Sequence, residues 1–201
     1  PLMPDPRNEE LQALVFKNRG ALLSVPAALL AAFGKPSAFS VAAGLPLALA
    51  GELIRCWAVG YSGVTTRGNV VEAPKLVTAG PYAYVRNPLY VGNFITALGF
   101  AIAFTGKNSP TTKVALVGGS LAAMAAVYAT IIPHEEQFLR SQFGDEFDQY
   151  CEQVPPLIPL AEPAAEQAGE WTPSVIKDAE SKTFATFGAM LVLLALKALK
   201  A

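Results

Sequence analysis

The 201-residue chain is 52% hydrophobic and only 15% charged, with a net charge of −1. Soluble domains carry roughly 25% charged residues, so the composition excludes an ordinary water-soluble fold and points to a membrane protein. The charge balance gives no case for nucleic-acid binding, which needs clustered basic residues. Cys56 and Cys151 show neither CxxC nor Cys/His spacing, which argues for free thiols and against a metal site.

Taken in chain order, Pro1–Arg19 places Leu11, Leu14 and Val15 at helical spacing and ends in Lys17 and Arg19, which predicts a short interfacial helix. Its acidic start, with Asp5, Glu9 and Glu10, lacks the basic-then-apolar order of a cleavable signal peptide. Ala21–Phe33 is apolar but short of the roughly 20 residues a span needs, so the first span either borrows from Leu14–Lys17 or crosses thin. Gly34–Ser37 predicts a turn, and Phe39–Tyr61 a second span. Ser62–Ala79 is a polar loop with Arg67 and Lys75. Leu89–Thr105 predicts a third span, Gly106–Thr112 a tight turn, and Val114–Ile132 a fourth span in which Gly118 and Gly119 serve helix packing. Pro133–Lys182 is hydrophilic and proline-dotted, long enough for a small domain on the membrane face. Thr183–Leu199 is a fifth apolar run of about 17 residues, at the lower edge of spanning length. The expected fold is all-α: a single membrane domain over 1–201, a bundle of about five transmembrane helices with a small cytoplasmic helical cap.

Orientation follows from the basic residues. Arg7, Lys17, Arg19, Arg67, Lys75, Arg86, Arg140, Lys177 and Lys182 fall on the side of the N-terminus, and Lys35, Lys107, Lys113, Lys197 and Lys200 on the other. The excess places the N-terminus in the cytoplasm.

The stretch Gly80–Gly92, GPYAYVRNPLYVG, sits where the polar loop meets the third apolar run. Pro88 fits the first turn of a helix, where its missing N–H is not needed. The free amides of that turn then point back toward Arg86 and Asn87, an end that attracts anions. The string resembles the glycine-proline-tyrosine and arginine-histidine-proline-x-tyrosine-x-glycine signature of the isoprenylcysteine carboxyl methyltransferase and phospholipid methyltransferase superfamily of integral membrane enzymes. A second block, HEEQFLRSQFGDEFDQYCEQVPPLIP at His134–Pro159, is similar to the family's other block in the spacing of Glu135 and Glu136 to Gly144, Tyr150 and the Val154–Pro155 pair. Asn87 stands where the family has histidine. The resemblance covers about residues 50–160, with Arg55–Ala58 resembling the segment before the signature.

The resemblance implies S-adenosylmethionine as cofactor, with S-adenosylhomocysteine as product. It implies a site built from the 80–92 and 134–159 blocks, with 160–201 as linker plus C-terminal apolar helix. Gly80, Tyr82, Asn87, Pro88, Tyr90, Gly92, Glu135 and Glu136 are the expected cofactor-binding residues, and Arg86 and Glu135 the expected catalytic ones. A guanidinium fork suits a carboxylate, so Arg86 holds either the acceptor or the cofactor's carboxylate; at a membrane boundary it also suits lipid phosphates. Glu135 and Glu136 diverge by about 100° on a helix, so at most one faces the site. The bland reading of that pair is a solvated charge pair. His134 is a candidate base or an interfacial histidine. Tyr82 and Tyr90 suit stacking and cation–π contact, whereas Tyr84 reads as a belt residue. Phe138, Phe143, Phe147 and Tyr150 predict an amphipathic helix ended by Val154–Pro155.

Glu52 and Arg55 share one face of the second span and are able to pair. With Trp57 they either line the acceptor's route or form a structural bridge. The function implied is methylation, at the membrane, of a lipid-like or prenylcysteine-like acceptor, by carboxylate O-methylation or lipid amine N-methylation. The location expected is a bacterial inner membrane with the site facing the cytoplasm. A membrane reductase of the sterol reductase type with a nicotinamide cofactor, and a non-catalytic scaffold, are the alternatives.

Overall fold

The computed structural model describes residues 6–63, 73–165 and 167–200. The part of the polar loop at 64–72, with Arg67, lies outside the described residues, as does Asp5. The elements in order are α1 (Pro6–Phe33), α2 (Ala38–Ser62), a 3₁₀ turn (Gly80–Ala83), α3 (Pro88–Phe104), α4 (Pro110–Phe143), α5 (Asp145–Gln153), a 3₁₀ turn (Pro173–Val175) and α6 (Ile176–Leu199). α1, α2, α4 and α6 are long and apolar enough to cross a membrane, and α3 is a shorter apolar helix of 17 residues. The protein is a polytopic membrane helix bundle.

Helix starts follow local chemistry. Ser37 caps α2 through a capping box: the Ser40 amide donates to Ser37 Oγ at 3.1 Å, and the Ser37 amide donates to Ser40 Oγ at 3.0 Å. Ser109 caps α4, followed by Pro110, and Pro88 opens α3. Two expectations change here. The interfacial helix and the first span are one continuous helix, α1, which runs through Gly20. The Asn18 and Arg19 side chains bond back onto the carbonyls of Leu14 and Phe16. The fourth span does not stop at Ile132. α4 runs through Pro133 to Phe143, a 34-residue rod of about 51 Å. The proline removes one rung of the ladder, and the contacts made by the turn beyond it, described below, offset that loss.

The predicted amphipathic helix over Phe138–Tyr150 is likewise two helices. Gly144 has φ 53°, a left-handed conformation that ends α4 and starts α5 at a new angle. α6 begins earlier than the apolar run suggests and is 24 residues long.

α2 and α3 form the tightest seam. Gly44 and Gly51 of α2 face Gly99 and Gly92 of α3, and a side chain added at any of the four would strike the opposite backbone or the side chains beside it. This lets the two helices approach at backbone distance. Gly118 and Gly119 of α4 have no neighbour in this chain that an added Cβ would meet, so they do not serve packing among the described residues.

At the end of the bundle away from the Gly80–Gly92 loop, Leu30, Ala48, Phe100, Phe104, Leu116 and Leu194 form one buried cluster. Phe16, Met124, Tyr128 and Ile131 tie α1 to α4 nearer that loop, and Leu76, Phe147, Tyr150 and Val154 form a cap over it.

Candidate functional site

A cavity of about 410 Å³ lies where α3 begins and α4 leaves the bundle. Its wall takes Phe16, Arg19, Gly20 and Leu23 from α1, and Arg55 and Ser62 from α2. Arg86 and Asn87 come from the loop, Tyr90 and Asn93 from α3, and Tyr128, Glu135 and Glu136 from α4. Phe147 and Tyr150 of α5, Thr183 of α6, Tyr82 of the loop and the Ala73–Val77 segment add to it.

The outer rim is held by Arg86. Its Nε and Nη2 donate to one oxygen of Glu136 at 2.9 and 2.8 Å, and its Nη1 donates to the carbonyls of Val154 and Cys151, at the C-terminus of α5. Loop, α4 and α5 therefore meet at one guanidinium, with a charge-assisted pair that is mostly shielded from solvent. The segment after α5 runs back along the loop in the opposite direction. The amides of Arg86, Leu160 and Ala164 bridge to the carbonyls of Pro155, Tyr84 and Ala83 in turn, and the Thr78 and Ala79 amides donate to the Ala168 carbonyl. Asn87 Nδ2 adds a bond to the Pro156 carbonyl at 3.0 Å. Tyr150 donates to the Tyr82 carbonyl at 2.7 Å. Burial pushes the Tyr82 hydroxyl up to about 12 and the Tyr150 hydroxyl up as well, so both phenols stay protonated at neutral pH.

The inner wall is a polar ladder inside apolar helices. Tyr90 donates to Glu135 at 2.7 Å and stacks on Tyr128, with ring centroids 4.4 Å apart. Asn93 Nδ2 donates to the Tyr128 hydroxyl at 2.8 Å, and Asn93 Oδ1 accepts from Arg55 Nη1 at 2.6 Å. Arg55 Nη2 donates to both carboxylate oxygens of Glu180 at 2.9 Å. The ladder thus crosses from α4 through α3 and α2 to α6.

Of the residues singled out from sequence, Arg86, Tyr82, Asn87, Pro88, Tyr90, Glu135 and Glu136 gather on this cavity, and Arg55 with them. Glycine and aromatic positions behave differently. Gly92 faces α2, where a side chain would meet Arg55 and the Gly51 carbonyl, and Gly80 sits under the Tyr61 ring; both are packing contacts rather than cavity wall. Trp57 is 42% exposed and tilted against Tyr84, turned away from the cavity. Glu52 lies 3.9 Å from Arg55 Nε and is not part of the cavity wall. His134 packs on the Phe16 ring rather than in the wall.

Asn93, Tyr128, Arg19 and Glu180 are wall or support residues that the sequence did not single out. Asn93 is a polar residue inside an apolar run, and Glu180 an acid at the head of the last one; each is a signal of that kind.

The wall offers the Glu135 carboxylate to cationic or hydroxyl groups, Arg19 and Lys75 to anionic ones and the Tyr90 ring as a π face, and the volume lies in the range of small-molecule sites.

Fold and site together define an integral membrane protein with a polar cavity at one end of its bundle. The chain belongs to the phospholipid methyltransferase family, whose model matches residues 39–146. It is 44% identical over 85 residues to the protein-S-isoprenylcysteine O-methyltransferase of Schizosaccharomyces pombe, covering 42% of this chain and 33% of that protein. It is 32% identical over 123 residues to a probable protein-S-isoprenylcysteine O-methyltransferase of Oryza sativa subsp. indica, covering 59% and 61%. It is also 39% identical over 84 residues to a cobalt-zinc-cadmium resistance protein of Cupriavidus metallidurans, covering 42% and 35%. The chain thus spans from a third to about three fifths of the length of these relatives. No solved structure matches it.

Proposed function

We propose that this protein is an S-adenosylmethionine-dependent methyltransferase that acts at the membrane on a lipid-like or prenylcysteine-like acceptor. The observation that carries the reading is the convergence of the Gly80–Gly92 loop and the Glu135–Glu136 pair on one cavity, joined by the Tyr90–Glu135 and Arg86–Glu136 bonds. The names of the relatives from Schizosaccharomyces pombe and Oryza sativa support it. In this reading the site faces the cytoplasm of a bacterial inner membrane, where the cofactor is available.

When bound, the cofactor supplies an activated methyl group on a sulfonium. The chain's own residues bind, orient and exclude water. Tyr90 fixes the direction of the Glu135 carboxylate, which would hold the cofactor's cationic or hydroxyl groups. Glu136 and Arg86 neutralise one another, so Arg86 holds the wall rather than the acceptor. Asn87 clamps the segment after α5 by its amide, a task a histidine N–H also performs. The acceptor's tail stays in the bilayer, since exposing it costs about 0.8 kcal/mol per CH₂.

Calorimetric titration of the detergent-solubilised protein with S-adenosylhomocysteine tests this. Binding that Tyr90→Ala weakens tenfold, about 1.4 kcal/mol, is the expected result. Absent binding, or binding of a nicotinamide dinucleotide in its place, would reassign the site.

A further inference from the structure

Tyr90 and Tyr128 stand face to face in the cavity wall, but their hydroxyls are used in opposite ways. Tyr90 donates a hydrogen bond to Glu135. Tyr128 accepts one from Asn93. That polarity is forced from behind. Arg55 Nη1 lies 2.6 Å from the Asn93 side chain, and a guanidinium has donors only, so the amide has to turn its oxygen toward Arg55 and its NH₂ toward Tyr128. An amide NH₂ cannot accept, so the Tyr128 oxygen accepts and its own proton is left to point elsewhere. That proton has no acceptor among the described residues, although Tyr128 is 1% exposed and lines the cavity. Glu180, fully buried on α6, fixes Arg55 with both oxygens, so the arrangement has no slack at its far end.

We infer that Tyr128 is a specificity-determining residue that donates a hydrogen bond to an oxygen of the bound methyl acceptor, with Asn93 and Arg55 as positioning residues that set the direction of that bond. This rests on the methyltransferase reading above. A donor at this place discriminates between acceptor classes. A carboxylate has lone pairs to spare and can be held by Tyr128 while another of its pairs reacts. A neutral amine has one lone pair, and the same hydrogen bond would occupy it. Where the bond falls on the reacting group itself, the donor therefore favours an oxygen nucleophile such as a carboxylate over an amine. Tyr128 keeps its proton throughout and only holds.

The test uses the full chain in phosphatidylcholine nanodiscs, saturated with S-adenosylhomocysteine and titrated with S-farnesylcysteine as a carboxylate probe. Tyr128→Phe removes the donor; it should weaken probe binding about tenfold and leave the affinity for S-adenosylhomocysteine within twofold. Asn93→Asp keeps every atom of Tyr128 but turns its partner into an acceptor from both sides, which draws the phenol proton away from the cavity. It should reproduce the loss, and the double variant should be no worse than either single one. If Asn93→Asp binds the probe like the parent while Tyr128→Phe does not, the hydroxyl only fills space and the inference is overturned. Parent-like binding in both variants, or a parent that holds S-adenosylhomocysteine but not the probe, overturns it too. Loss of S-adenosylhomocysteine binding in Asn93→Asp or Tyr128→Phe would place this arrangement in the cofactor's part of the cavity and overturn the inference as well. A parent that does not bind S-adenosylhomocysteine defeats the methyltransferase reading itself, and the inference with it.

Discussion

Two of the arginines that line the cavity, Arg86 at the rim and Arg55 deeper in, are each met by a glutamate, yet the two pairs do different work. Arg86 and Glu136 sit at the rim with side chains 12% and 19% exposed, and the guanidinium also gathers carbonyls of the chain after α5. Arg55 and Glu180 sit deeper, at 9% and 0%, and join α2 to α6. Water near the rim screens a broken pair, whereas a lone charge among apolar helices has no such relief. The rim pair shapes a wall from segments close to the water; the deep pair makes the last helix part of the site.

Replacing one partner of each pair sharpens that contrast. Glu180→Ala should cost about 3 kcal/mol, the lower end for breaking a buried pair, because it leaves the buried guanidinium its Asn93 bond and looser contacts such as that to Glu52 at 3.9 Å. Glu136→Ala should cost about 1.5–3 kcal/mol, the range of hydrogen bonds to charged groups. Thermal unfolding of both variants in one detergent measures the difference, and equal losses would erase the distinction of depth. Next to the rim pair, Asn87→Leu should lose about 1 kcal/mol with its bond to Pro156, while Asn87→His should keep most of it. A leucine variant that melts with the parent would remove Asn87 from the clamp.

The smallest expected effect is on alkaline stability. An unfolded tyrosine ionises near pH 10, and buried Tyr82 ionises near 12. The folded state holds that proton more tightly, so this contribution is whole below pH 10 and is lost as the pH rises from about 10 to about 12. Melting curves across that window should fall less steeply for Tyr82→Phe than for the parent; identical slopes would mean that Tyr82 is not buried as described.

Much of this was legible in the sequence because apolar run length and proline-glycine punctuation are local signals. They mark α2 and α3 closely, and they mark the loop that ends at Asn87. Pro133 misled for the same reason. As a local signal it stops a helix, but the turn that follows carries Glu135 and Glu136, whose bonds to Tyr90 and Arg86 hold α4 together beyond it. The candidate site divides in the same way. Residues in the two resembling blocks meet at the cavity, whereas Gly80 and Gly92 look inward to Tyr61 and α2, a matter of helix rotation that spacing alone does not fix. Glu180 was invisible as a site residue because its partner is 125 positions away.

That separation bears on how the chain is made. At about 5–20 residues per second, Glu180 leaves the ribosome roughly 6–25 s after Arg55, so a guanidinium bound for the membrane interior has to wait for its counter-ion. Glu52 is one helical turn away, 3.9 Å from Arg55 Nε in the finished fold, and is delivered with it. A local carboxylate of this kind lets α2 enter the bilayer as a charge-balanced unit and hand its arginine to α6 on arrival, so Glu52→Leu should reduce the yield of inserted protein more than it destabilises the protein that does insert.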